Sequence, residues 1–380
     1  MAPFRSNILS IVLSRLRRKN LHNWIPDYLR HLGRRMVSER TSGRRHVLFA
    51  LCDHYEPLWG KTSVDVGRQR VDRWATGYPQ MARQFLDSHG RPPRHSFFFP
   101  GEEYQPHFLD RLGELTAGGF GEVEVHLHHD GDTRETLGAT LREHLSTFAK
   151  HGHLSRDPAT GKPLWAFIHG NWSLANSRPD GRWCGVDDEL PLLFELGCYA
   201  DFTYPSAPDP CQPNQVNKLY WPTGDLNARK CFEHGEAARV GKHYNDRLLM
   251  VTGPLALVRK GKGLRIENGA LTGDDPPSAA RVESWIAQNI HVLDRPEWIF
   301  VKVHTHGAIE GTADSLLGKD GVAMHEALAR CCYAQNLQLH YVTARELYNV
   351  ARAAMDGKSG DPAGYYDYLV PPPPIASAGA

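Results

Sequence analysis

The chain has 380 residues, 41% of them apolar and 23% charged, the balance of a globular protein with room for a sizeable core. Its formal net charge of +1 sets up no global field toward nucleic acid, so no nucleic-acid partner is expected. Seven cysteines, an odd number without a CxxC pair, point to reduced thiols in the cytoplasm, and the lack of an apolar run of about 18 residues argues against a transmembrane helix.

Residues 1–45 differ from the rest. They hold 11 Lys and Arg against 2 Asp and Glu, a formal +9, so the remainder carries −8. Ile8, Ile11, Val12 and Leu16 have helical spacing, and Arg15, Arg17, Arg18 and Lys19 interleave with them or follow. A basic amphipathic helix of this kind can lie on the inner membrane surface or pack on an acidic protein; the plainer reading is a solvated helix covering a barrel end or a neighbouring subunit. Asn7–Leu13 is too short for a cleavable signal peptide, and its basic residues come after it.

From residue 46 onward strands and helices alternate. Apolar or period-2 runs predict strands at 46–52, 96–99, 122–126, 164–168, 200–204, 248–252, 298–303 and 337–342. Helical patterns fall at 71–85, 106–115, 133–150, 187–197, 276–293, 321–335 and 344–355, with Thr133 a plausible helix start. Residues 206–245 are rich in Pro, Asn and Gly and read as an insertion, and 357–380, with Pro371–Pro374, as a flexible tail. This order predicts parallel strands with helices outside: a (β/α) barrel over 46–356, with an open doubly wound sheet as runner-up. No GxGxxG follows a strand and no P-loop is present, which leaves nucleotide binding without support.

In a parallel barrel the C-terminal ends of the strands share one mouth. Read in order, those ends carry Asp53-His54-Tyr55-Glu56, Glu102-Glu103, His126-Leu-His128-His129-Asp130, His169-Gly-Asn171-Trp172, Tyr204, His304-Thr-His306 and Arg345-Glu346. Continued strand geometry would point His126, His128 and Asp130 one way and Leu127 and His129 the other, and two imidazoles with a carboxylate suit a divalent transition metal. Asp53 reads as a ligand or base, with helix capping as the plain alternative. Glu102 and Glu103 read as functional acids or ordinary helix-start acids. His169 is a mouth residue or a satisfied buried one, and Trp172, Trp183 and Tyr204 hold a sugar face or anchor loops. Cys52 should point away from Asp53 into packing, and a Cys–His nucleophile is the weaker alternative.

Taken together, these residues resemble the polysaccharide deacetylase (NodB-type) superfamily of metal-dependent carbohydrate esterases, in its divergent bacterial surface-polysaccharide-associated form. The resemblance covers about residues 46–350 by order of motifs. Asp53 stands where the family has two adjacent Asp, His126 matches the first of its two His four residues apart and Asp130 occupies the place of the second, with His128 an alternative, Phe202–Ser206 resembles the oxyanion element, and Val301–His306 the strand ending in the general acid. The resemblance implies a distorted (β/α) barrel of about seven strands and a divalent ion, Zn²⁺ first, with Mn²⁺, Ni²⁺ or Co²⁺ as alternatives. It implies removal of an N-acyl group from an amino sugar or glycan. Asp53, His126 and either His128 or Asp130 would be ligands, or Asp53 the base with His54 ligating. His304 or His306 would protonate the leaving amine. Asn171, Trp172 and Tyr204 would hold the sugar, with Glu103 and His169 at the same mouth. The two rival readings are a glycoside hydrolase using a carboxylate pair such as Glu103 and Asp130, and a barrel that binds carbohydrate without turnover.

Overall fold

The computed structural model describes residues 19–37, 43–261 and 263–377; the predicted helix around Ile8–Leu16 lies outside them. Five parallel strands come first in the central sheet: β1 (Arg45–His54), β2 (His95–Pro100), β3 (Gly121–Leu127), β5 (Pro163–His169) and β6 (Cys198–Asp201), with the two-residue β4 (Ser155–Arg156) beside β5. Within the predicted insertion lie β7 (Leu219–Pro222) and β8 (Gly235–Ala237). Then come β9 (Leu249–Val251), the hairpin β10 (Ala256–Lys260) and β11 (Gly263–Glu267), β12 (Ala270–Leu271), β13 (Trp298–Thr305) and β14 (Leu337–Tyr341). The hydrogen-bonded order is β12-β13-β1-β2-β3-β5-β6-β9-β7-β8. It is parallel up to β9 and antiparallel beyond. One edge of β1 is shared: β14 pairs with Arg45–Phe49 and β2 with Leu51–His54.

The expected α/β class and mostly parallel sheet are therefore present. Among the described residues the ladder is an open path with two ends. Contacts cross from β13 to the segments that follow β6 and β9. Lys302 Nζ, buried on β13, donates to the carbonyls of Phe202 and Tyr204 beyond β6. Gly253 lies so close to the Lys302 carbonyl that a Cβ there would sit 2.4 Å from it.

Both faces of the sheet are covered, and residue parity assigns the two cores. On β1, Val47, Phe49 and Leu51 pack with α2 (Val64–Ala82), α3 (Pro106–Ala117) and α4 (Arg134–Lys150). Leu48, Ala50 and Cys52 face the other way, with Phe98, Ala166, Ile168 and Phe300. They pack against α9 (Ala344–Met355), all twelve of whose residues are buried. Leu347, Val350, Ala351, Ala353, Ala354 and Met355 make it apolar over most of its surface, which fits that position. Its start is fixed by Thr343, which bonds reciprocally with Glu346 as a capping box. Thr133 caps α4 in the same way, as its sequence predicts.

Two regions differ from expectation. The predicted mobile tail is anchored through Val370: Arg345 and Asn349 of α9 donate to the carbonyls of Tyr366 and Val370. Proline content argued for mobility, but Tyr365, Tyr366, Tyr368 and Val370 bring enough apolar surface to pack. In the basic N-terminal segment, α1 (Leu21–Val37) buries Trp24 and Tyr28 against Val216, Leu255 and Ala256, and Asp27 pairs with Lys218 at 2.7 Å. None of the described helices is long and apolar enough to cross a membrane.

A buried acid on β3 makes stability depend on pH. Glu124 accepts the Ala166 N–H at 2.6 Å and the Tyr199 hydroxyl at 2.5 Å. Burial pushes its carboxyl from 4.5 up to about 8, against the pull of those two bonds. Below 4.5 both folded and unfolded chains hold the proton; between 4.5 and about 8 only the folded chain does, so stability falls with rising pH across that window. Glu124→Gln keeps an acceptor for Ala166 and removes the titration. Thermal melts at about pH 5 and about pH 8 are expected to separate more for wild type than for this variant.

Candidate metal centre

The site forms where β1, β3 and β13 end. On β1 the inner-face parity that carries Ala50 and Cys52 continues to His54, and Glu56 follows just beyond the strand. Glu56 is buried. Its Oε1 lies 3.4 Å from His126 Nε2 and 3.0 Å from His128 Nε2, and its Oε2 is 2.6 Å from His306 Nδ1. One ligand atom each from Glu56, His126 and His128 falls within 4.8 Å of the others.

The outer nitrogens of the two rings decide what the inner ones offer. His126 Nδ1 is 2.8 Å from the Ile168 carbonyl, so it carries the hydrogen and leaves a lone pair on Nε2. His128 Nδ1 is 2.8 Å from Glu102 Oε1, which also accepts the His128 backbone N–H at 2.9 Å. Carboxylate and carbonyl partners on the far nitrogen are the usual way a metal-binding imidazole is oriented. Each Nε2 then faces Glu56 Oε1, and a lone pair facing a carboxylate oxygen needs a proton or a cation between them. Four buried atoms of the cluster have no hydrogen-bond partner: Glu56 Oε1, His126 Nε2, His54 Nε2 and His304 Nδ1. Buried polar atoms are rarely left so, and two of these, Glu56 Oε1 and His126 Nε2, face each other at 3.4 Å, as two ligands of one metal ion would.

The local charges agree. Burial opposes ionisation of Glu56, yet hydrogen bonding to His126, His128 and His306 holds its carboxyl well below the usual carboxylate range. Burial likewise opposes a charge on His128, but Glu102 and Glu56 raise it to about 10. His54 and His304 are held well below 6.5, chiefly by burial and then by neighbouring cationic groups, and so are neutral. Without an ion, the positive charge beside Glu56 is carried by a proton on His128, the position a metal ion would take over, while the inner wall stays neutral.

Of the predicted ligands, His126 and His128 are brought together and Asp53 and Asp130 are not. Asp53 has the opposite parity: its Oδ2 is 2.8 Å from His95 Nε2 and its Oδ1 accepts the Gly307 N–H at 2.6 Å, beside Trp74 of α2. Asp130 Oδ1 accepts the Trp183 N–H at 2.6 Å. His306 reaches the site, and half-exposed Trp59 lies 5.3 Å from its ring. His304 is buried behind it, 6.1 Å from the His54 ring. Glu103 accepts the Leu58 N–H, and burial, with Glu56 and Glu102 adding, pushes its carboxyl up to about 7. Tyr204 is buried, and its hydroxyl bonds the Trp172 carbonyl at 2.9 Å, so it props the Asn171–Trp172 loop from behind. His169 lies on the other face of β5, with His129, Cys184 and Glu189. Cys52 is buried on the inner face with its thiol pushed up to about 12, a poor nucleophile. A further group, His46, His340 and Asp361, has its imidazoles hydrogen-bonded to each other at 2.9 Å.

Sequence reasoning gave no role to Glu56. The available signal was parity: if Cys52 turns inward to packing, so do His54 and Glu56.

Gly170 lets His128 in, because a Cβ there would lie 2.4 Å from the His128 ring and 2.7 Å from the Leu127 carbonyl. Gly170→Ala is expected to displace His128 and weaken metal binding at least about tenfold with the fold intact, measured by competition with a chromophoric chelator.

No protein-family model matches the chain, and no curated protein matches its sequence.

Proposed function

We propose that the chain is a metal-dependent hydrolase that removes an N-acyl group from an amino sugar or glycan, with Glu56, His126 and His128 holding the ion. The observation that carries this reading is the convergence of two oriented imidazole lone pairs on a buried carboxylate at the ends of parallel strands. Two His and one Glu form a donor set suited to catalytic Zn²⁺, with Mn²⁺, Ni²⁺ and Co²⁺ as alternatives. The bonds from Lys302 on β13 to the carbonyls after β6 support the distorted barrel of the deacetylase superfamily.

When bound, such an ion lowers the pKa of its water and polarises an amide carbonyl. The chain's own groups supply the rest. Glu103, with a carboxyl near 7, can take a proton at working pH and return it. His306 is held by Glu56 at its Nδ1 and is partly exposed, and its other nitrogen would protonate the leaving amine. His304, buried and neutral, lines the wall instead. Trp59 offers an exposed face to a sugar ring.

The test is acetate release from a panel of N-acetylated amino-sugar oligomers, with metal content measured beside it. Release that stops with chelator and returns with Zn²⁺ supports the reading. A chain that takes up no divalent ion and releases nothing sinks it. Binding of the oligomers without release would instead support the non-catalytic barrel.

A further inference from the structure

On β3 the parity that sends His126 inward leaves His129, past the strand end, on the opposite face, the one covered by α2, α3 and α4. There it meets His169, whose β5 parity is also outward, at a ring separation of 4.7 Å. Glu189, at the start of α5 (Glu189–Glu195), and Cys184 complete a group whose ligand atoms all lie within 4.8 Å of one another. His129 Nε2 and His169 Nε2 are 3.4 and 3.5 Å from Glu189 Oε1, and Cys184 Sγ is 3.4 Å from Glu189 Oε2. His169, Cys184 and Glu189 are fully buried.

Each donor is oriented from behind. His129 Nδ1 is 3.1 Å from Asp132 Oδ2 and its Nε2 hydrogen-bonds Glu189 Oε1, while His169 Nδ1 bonds the Gly170 carbonyl, so both rings turn Nε2 to the centre. Glu189 Oε2 is held by the Ala175 N–H at 2.6 Å. Cys184 Sγ accepts the backbone N–H groups of Asn176 at 3.3 Å and Val186 at 3.4 Å. His169 Nε2, completely buried, has no hydrogen-bond partner. A neutral imidazole lone pair aimed at a buried carboxylate is an unfavourable contact unless a cation lies between.

We infer that His129, His169, Cys184 and Glu189 form a second metal site, a four-ligand structural site for Zn²⁺. Two imidazoles, one thiolate and one carboxylate are the tetrahedral ligand number and softness that Zn²⁺ accepts without an open position. One thiolate and one carboxylate cancel the charge of a divalent ion, so the burial leaves no net charge. Binding releases the Cys184 thiol proton to solvent. The site's task follows from the loop it closes. Residues 170–186 hold Asn171, Trp172, Ala175, Asn176 and Trp183 at positive φ; Asn takes this conformation readily, but Trp and Ala do so only when their surroundings impose it. The same loop is tied to the segment after His128 by Trp183 N–H to Asp130 and by Asp132 N–H to the Cys184 carbonyl. The ion would lock the loop that flanks the first centre, and the inference does not depend on what that centre catalyses.

The experiment is metal counting on the full-length protein by mass spectrometry, with reconstitution by Co²⁺. Wild type is expected to hold about two ions per chain, Cys184→Ala and Glu189→Gln about one each, and His126→Ala about one. Cobalt-loaded wild type and His126→Ala should show sulfur-to-cobalt charge transfer in the near ultraviolet, because only this site has a thiolate. Cys184→Ala should lose that band while keeping its remaining ion, which also shows that the variant is folded. Because the band is read on the unmodified protein, the inference stays testable if a variant misfolds. A cobalt-loaded wild type without the band overturns the proposal, as does an ion count unchanged in folded Cys184→Ala.

Discussion

Glu56→Gln is expected to fold and yet lose the ion of the first centre, with kcat/KM falling on the order of a thousandfold, about 4 kcal/mol of transition-state stabilisation. The carboxylate is the group on which both Nε2 atoms converge, and it is the cluster's only carboxylate with close contacts to three imidazoles. An amide keeps its size and one acceptor but removes the charge that offsets the cation. Asp53→Asn makes the contrast. Its carboxylate serves His95 and Gly307, so the variant should keep the ion and lose about 1–3 kcal/mol of stability through weakened buried hydrogen bonds. Metal content and urea unfolding of the two variants decide between them. Ion loss in Asp53→Asn with retention in Glu56→Gln would return the first-motif aspartate to the centre and remove Glu56 from it.

The second large effect concerns stability. Glu122→Gln is expected to cost about 3–5 kcal/mol, because it strands a buried guanidinium. Arg345 and Glu122 are each 2% exposed at the side chain and meet in a two-pronged contact, with Nη2–Oε1 at 2.8 Å and Nε–Oε2 at 3.0 Å. This pair ties α9 to β3 across the inner core. Of the other carboxylates near Arg345, Asp367 is more than half exposed and Glu346 is engaged by Arg91 and Arg94, so neither replaces Glu122. Burial works against ionised Glu122, but Arg345 and Arg94 hold its carboxyl down to about 2. The stabilisation is therefore present above 4.5 and lost as pH falls through about 2. Urea denaturation should show the full deficit of Glu122→Gln at neutral pH and a much smaller one near about pH 2. An equal deficit at both would mean that the pair acts through packing alone. Replacing both partners by apolar residues of similar volume should recover part of the loss.

Most strands were legible because apolar runs with flanking turns have few other uses. The run predicted at 46–52 folds as Arg45–His54, that at 122–126 as Gly121–Leu127, and that at 298–303 as Trp298–Thr305. Helix ends were harder. The helix predicted at 71–85 begins at Val64, where Ser63 caps it by accepting the Val66 N–H. The one predicted at 276–293 ends at Ala287, just before Asn289 turns to positive φ. The hairpin of β10 and β11 went unseen although Gly261 and Gly263 mark its turn, because two five-residue strands leave little pattern. At the site, His126, His128 and His306 were legible as imidazoles at strand ends. Asp53 and Asp130 were favoured by motif position, and folding sends both elsewhere.

The amino-acid order by itself determined the alternation of strand and helix, the parallel sheet that alternation requires, and the delivery of His and Glu side chains to one end of it. It did not determine which half of each strand faces which core. In a sheet covered on both sides, β1 is buried from His46 to His54, and the polar–apolar contrast that marks a face in a half-exposed strand is missing. Only packing broke that tie. The wholly buried α9 claimed Ala50, Cys52 and the parity that ends in His54 and Glu56, and α2 took Leu51 and Asp53. The same decision, made on β3 and β5, separated His126 and His128 from His129 and His169, dividing the histidines between two clusters.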